Sequence, residues 1–327
     1  MSDKDIPEGQ SLALNQPLSK HEEKIGITED KKLVEEYDKL FGSFVSRPSF
    51  REVVGQPSLE TLSSAVDQYK ERTTSILDSL EAIRDEVDKK SGKYTETDLY
   101  AAEDLVLNDI LGSSEAAEVR MFFFGLKPAI QSNVGGEYRE KMRINAPNIK
   151  VEDYYPLALI GGINDTHIVN INYGSDEKPR VYDIAYSPKL VKQVMEEYKD
   201  VFSAFGYVDA STETIDRAFK DSNPVIRSLL LGYPLGSAMF HDSTLEELSR
   251  LPLSDEQKEF LVKVFDSKEK HEAIENQVTG LYFQDEKNQD LQDLWIKSGL
   301  DSFLTDVAKK YASVLGIKPE EMRTGWL

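Results

Sequence analysis

The chain contains no cysteine among its 327 residues. A disulfide framework, a thiolate nucleophile, a Cys-ligated iron–sulfur cluster and a Cys-bearing zinc site are therefore all excluded. Histidine is nearly as scarce, with four in the whole sequence. His21 falls in an unpatterned N-terminal stretch, which leaves His167, His241 and His271 for proton transfer near neutral pH. Positive charge is also short: 39 Lys and Arg stand against 59 Asp and Glu, a formal net charge of -20. Such a chain repels phosphate backbones, which argues against nucleic acid as a partner.

Long hydrophobic runs are missing too. The longest, Tyr154 to Ile163, is interrupted by Pro156, Gly161 and Gly162, whereas a bilayer-crossing helix needs about 20 apolar residues. No membrane partner is expected, and Met1-Ser2-Asp3-Lys4-Asp5 lacks the basic-then-apolar order of a signal peptide, so the expected location is the cytoplasm. Dinucleotide-binding, P-loop, zinc-protease, serine-hydrolase and EF-hand signatures are all absent. No Asp, Glu or His cluster has metal-ligand spacing, so neither a metal nor a cofactor is expected.

What is present is helical pattern. From Ser58 to Gly92 the residues Leu59, Leu62, Val66, Tyr69, Thr73, Ile76, Leu80, Ile83 and Val87 alternate at spacings of three and four, a heptad seam over four repeats. A helix over 58–91 would be about 50 Å long at 1.5 Å per residue, and its seam needs a cover. A second seam follows the Ser254–Gln257 capping box, through Phe260, Val264, Ser267, His271, Ile274, Val278 and Leu281. The two stripes can pair within the chain, between chains, or each serve as an ordinary core face.

Between them the character changes. Tyr154–Ile160, Thr166–Tyr173 and Arg180–Tyr186 read as strands of an antiparallel meander, with Thr166–Tyr173 in the middle. Period-two alternation puts His167, Val169, Ile171 and Tyr173 on one face and Thr166, Ile168, Asn170 and Asn172 on the other. Helices are expected to start at Thr28, Thr95, Ser187-Pro188, Ser211, Asn223-Pro224 and Ser243, the last with a box to Glu246. Phe122-Phe123-Phe124 fits a strand or a buried helix end equally well.

The expected fold is α+β and mainly helical, with long coiled-coil-like helices and one small antiparallel β-meander. Residues 1–27 read as a disordered tail, 28–150 as a helical region holding the 58–91 helix, 151–250 as the small α+β region, and 251–327 as a C-terminal helical region. The leading functional expectation is a soluble intracellular interaction or assembly protein. It would meet a protein partner or itself through the long helices, with Leu62, Val66, Tyr69, Ile76, Leu80 and Ile83 as the interface.

The alternative is an enzyme or small-ligand domain with a pocket between the sheet and the Gly-rich 232–242 joint. Its candidate catalytic groups are His241, Asp183 and Tyr233, with Asn170, Asn172 and Asn164 binding the ligand. Asp183, set among apolar neighbours, needs a partner such as Arg180 or Arg227. His167 reads as a core histidine and His271 as a register-setting seam residue. A third reading, from the charge alone, is a nucleic-acid mimic or a binder of basic partners.

Overall fold

The computed structural model describes residues 20–46, 58–106, 115–132, 144–150, 166–173, 180–221, 223–241, 243–283 and 297–315. The chain is mainly helical with one three-stranded antiparallel sheet. Four helices precede the sheet or interleave with it: α1 Lys20–Val45, α2 Leu59–Asp88, α3 Glu96–Val106 and α4 Glu115–Phe123. The strands are β1 Ala129–Ser132, β2 His167–Tyr173 and β3 Arg180–Tyr186. After them come α5 Pro188–Glu197, α6 Lys199–Ala204, α7 Thr212–Lys220, α8 Pro224–Leu230, α9 Leu235–Phe240, α10 Leu245–Ser249, α11 Asp255–Phe265, α12 Lys268–Phe283 and α13 Leu300–Leu315.

The sheet order β1-β3-β2 corrects the expected meander: β3, not β2, lies in the middle. Its third strand is Ala129–Ser132, while Tyr154–Ile160 lies outside the described residues. The phenylalanine triplet resolves in the same stroke. Phe122 and Phe123 end α4, Gly125 turns with φ +70, and the chain enters β1 one residue after Pro128.

Register then divides the sheet between two cores. Ala129, Val169, Ile171, Ile184 and Tyr186 join a first core with α1 and the helices from α5 through α12. Their alternates Ile130 and Ala185 join a second core with α2, α3, α4 and α13. These cores cut across the sequence-based regions, because α1 packs on α11 and α12 whereas α13 packs on α2.

In α2 the expected stripe is the face turned into the second core. Ser58 caps the helix by accepting from the Thr61 N–H, and Leu62, Val66, Tyr69, Ile76, Leu80 and Ile83 are all buried by residues of the same chain. The rings of Phe123 and Phe124 meet Tyr69 at 5.4 and 5.9 Å. Arg84 reaches Glu103 of α3 at 3.1 Å, and Lys70 Nζ donates to the Ser298 carbonyl at 2.8 Å beside α13. The helix ends at Asp88, short of Gly92, with Lys90 in the left-handed region.

The second seam is not one helix. Asp266 closes α11 and Ser267 caps α12 through the Lys270 N–H at 3.4 Å, so Phe260 and Val264 lie on one helix and Ile274 and Val278 on the next. Its cover is α1, with Gln257 Nε2 donating to the Leu40 carbonyl at 2.7 Å and Lys263 meeting Glu36 at 2.6 Å. Pairing of the two seams with each other is thereby replaced by two separate packings. Helix α1 itself starts at Lys20 rather than Thr28, with no proline between Pro17 and Pro48 to break it. The box expected at Ser243 forms one residue later, between Thr244 and Glu247, while the Ser254, Ser187, Ser211 and Asn223 caps form where expected.

Candidate functional site

The end of the sheet where β3 leaves for α5 gathers most of the chemistry. Ser187 terminates β3, caps α5 through the Leu190 N–H, and donates its own N–H to the Pro128 carbonyl at 3.0 Å. The terminal row of the sheet is then Ala129, Tyr186 and His167 in register. Helix α7 packs across this row, burying Ile215, Ala218 and Phe219. Its start is held by Asp209, which accepts from the Ser211 hydroxyl and N–H and from the Thr214 hydroxyl at 2.7 to 2.9 Å. Those bonds hold the Asp209 carboxyl down at about 2.

Asp216 on α7 therefore meets the row. Tyr186 Oη donates to its Oδ1 at 2.7 Å, and His167 Nε2 stands 3.4 Å from its Oδ2. Tyr186 is fully buried, with its ring 5.4 Å from Phe219 and 5.2 Å from His167. Burial, the bond to Asp216 and the charge of that carboxylate all push its hydroxyl far above the ordinary phenol range. Tyr186 is thus a permanent donor, and it fixes the carboxylate that faces the imidazole. His167 keeps 42% of its side chain exposed. With Nε2 turned toward Asp216, Nδ1 is the nitrogen left for solvent or a ligand. A half-exposed imidazole beside a carboxylate that also accepts from a tyrosine hydroxyl brings together residue types used in general acid–base chemistry.

The opposite edge of the sheet holds a buried cation. Lys127, two residues before β1, has 6% of its side chain exposed and meets Glu118 of α4 at 3.0 Å. Its ammonium lies 5.1 Å from the centre of the Tyr233 ring. Burial lowers its affinity for a proton, and Glu118 only partly restores it. Tyr233 arrives there because Gly232, at φ +90, presses its backbone onto Pro128.

The residues singled out by sequence do not form one site. Asp183 is buried in β3 and accepts from the side chain of its cross-strand neighbour Asn170, so these two candidates do meet. Asn172 lies opposite Val181 on β2, and Asn164 and Asp242 lie outside the described residues. Tyr233 stands over Lys127.

His241 belongs elsewhere, at the end of α9, largely exposed, 3.9 Å from Glu275 of α12. The other oxygen of Glu275 is 3.8 Å from His271, whose ring packs edge-on to Phe265 at 4.7 Å, so His271 seats an aromatic cluster rather than setting a coiled-coil register. His167 is half exposed and engaged by Asp216, not enclosed in the core. Asp216, Glu118 and Lys127 were missed by sequence. Only Asp216 left a signal, as a carboxylate on the apolar-striped α7 behind the Ser211 cap.

No group of His, Asp or Glu among the described residues is placed to hold a metal ion. None of the described helices is long and apolar enough to cross a membrane. No protein-family model, curated protein or solved structure matches the chain.

Proposed function

We propose that the chain is a small-ligand-binding domain of the enzyme class, with His167 as its acid–base group and Asp216 and Tyr186 as the residues that orient it. The observation that supports this reading is the shared carboxylate, which takes the Tyr186 hydroxyl on one oxygen and faces the imidazole with the other. This keeps the alternative drawn from the sequence but moves it from His241 and Asp183 to the terminal row of the sheet.

The test is a thermal-shift screen of polar metabolites against the wild-type chain, His167→Gln and Asp216→Asn. At least one compound is expected to raise the wild-type midpoint and to lose that effect in both variants. A shift that survives both substitutions, or a screen with no stabilising compound, defeats the reading.

A second reading, assembly of a cytoplasmic protein, is favoured by one feature. Beyond its buried seam α2 carries Glu60, Asp67, Glu71, Asp78 and Asp85 on its exposed side, a charged face suited to a basic partner rather than to a second α2. Salt-sensitive retention of a polylysine column by the wild-type chain, lost when these five are neutralised, is the expected result. Retention unchanged by their loss sinks it.

A further inference from the structure

We propose that Lys127 is a carbonyl-reactive lysine, able to form an imine with a small uncharged aldehyde, with Glu118 as the group that takes and returns the proton. This inference stands apart from the acid–base reading of His167 and uses the opposite edge of the sheet. Three observations meet at this side chain. Lys127 is the one buried lysine among the described residues, its Nζ lies 3.0 Å from Glu118, and the Tyr233 ring faces it at 5.1 Å. Glu118 keeps 38% of its side chain exposed, so it is the side from which a reagent reaches the amine. Desolvation also weakens the hold of this amine on its proton, the condition under which a lysine becomes a nucleophile.

The chemistry closes on itself. The ammonium gives one proton to the Glu118 carboxylate, and the nitrogen lone pair forms a C–N bond to the carbonyl carbon as the C=O π pair moves to oxygen. Proton transfers then carry the hydroxyl away as water, and the nitrogen lone pair forms the C=N bond. No oxidant or reductant enters. An uncharged aldehyde is favoured because the neighbouring carboxylate repels anions and the aromatic ring offers an apolar wall.

The experiment uses the intact native chain, butyraldehyde at neutral pH and cyanoborohydride to trap the imine, with peptide mass spectrometry reading occupancy at every lysine. Lys127 is expected to be labelled ahead of Lys268, which is 84% exposed, and ahead of Lys89, which is 66% exposed. That order is expected to vanish in urea, where all lysines share one environment. Labelling of Lys127 no faster than Lys268 in the native chain, or a preference that persists in urea, overturns the proposal and leaves Lys127 as a structural ion pair.

Discussion

Replacing Gly232 by alanine isolates the contact that brings Tyr233 over Lys127. Two penalties apply. The backbone sits at φ +90, where an L-residue costs about 1–2 kcal/mol. A Cβ built there falls 2.7 Å from Pro128 Cδ and 3.2 Å from Cγ, well inside the roughly 3.5–4.0 Å optimum for carbon pairs. A proline ring has no flexible end to swing aside, and relieving such overpacking costs about 1–3 kcal/mol.

Gly206 supplies the control, at φ +86 with nothing within 4 Å of its would-be Cβ. Gly206→Ala therefore carries the backbone penalty alone. The entropy that alanine removes from the unfolded chain is the same in both variants and cancels in the comparison. Urea unfolding at 25 °C, followed by circular dichroism, should place Gly232→Ala about 1–3 kcal/mol below Gly206→Ala at an unchanged m-value. Equal losses within about 0.5 kcal/mol would refute the reasoning, because the joint would then be loose enough to absorb a methyl group.

Thr73 offers the opposite sign: its hydroxyl is fully buried in the α2 seam with no hydrogen-bond partner among the described residues, so Thr73→Val should raise stability by about 1 kcal/mol in the same assay. A loss instead would mean that the hydroxyl is satisfied. Asp98 carries a pH signature. Burial favours its neutral form, but bonds from the Thr95 N–H and hydroxyl at 2.7 Å and from Asn148 at 3.1 Å outweigh it and hold the carboxyl below its ordinary value. A depressed carboxyl stabilises the fold above its unfolded value of about 3.9 and loses that contribution as pH falls below it. The stability gap between wild type and Asp98→Asn should thus narrow below about pH 4, and a gap constant from pH 7 to 2.5 contradicts the assignment. Val66→Asp and Ile76→Asp should unfold the second core at every protein concentration, by circular dichroism and light scattering; variants that stay folded and merely change mass would show the seam to be intermolecular.

Much of the fold was legible because it rests on local rules. The Ser187, Ser211, Asn223 and Ser254 caps and the α2 seam are short-range patterns of residue type and spacing. What failed was long-range. Two stripes with the same three-four spacing carry no label saying which helix covers each, so nothing local could show that α1 faces α11 and α12 while α13 faces α2. Strand β1 escaped for a related reason: four residues after a proline are too few for a periodicity, and only pairing with β3 makes them a strand. The candidate site was less legible still. His167 and Tyr186 were visible as strand residues, but Asp216 comes to them across 30 residues of sequence from Tyr186 and two intervening helices.

The register of β3 is the feature on which both edges depend. Its residues alternate between the cores, Asp183 and Ala185 to one side, Ile184 and Tyr186 to the other. A slip by one residue would send Tyr186 away from Asp216 and turn Asp183 toward the apolar first core, where no Asn170 side chain follows it. Because burial on both faces makes that slip expensive, the strand is held rigidly by packing that has nothing to do with chemistry. Ser187 and Pro188 extend the constraint past the strand end, through the bond to Pro128, so the position of Lys127 on one edge and of His167 on the other are set by the same register. A substitution that loosens β3, such as Ile184→Ala in the shared middle strand, should therefore weaken ligand stabilisation at His167 and the labelling preference at Lys127 together, whereas a change confined to α7 should touch only the first.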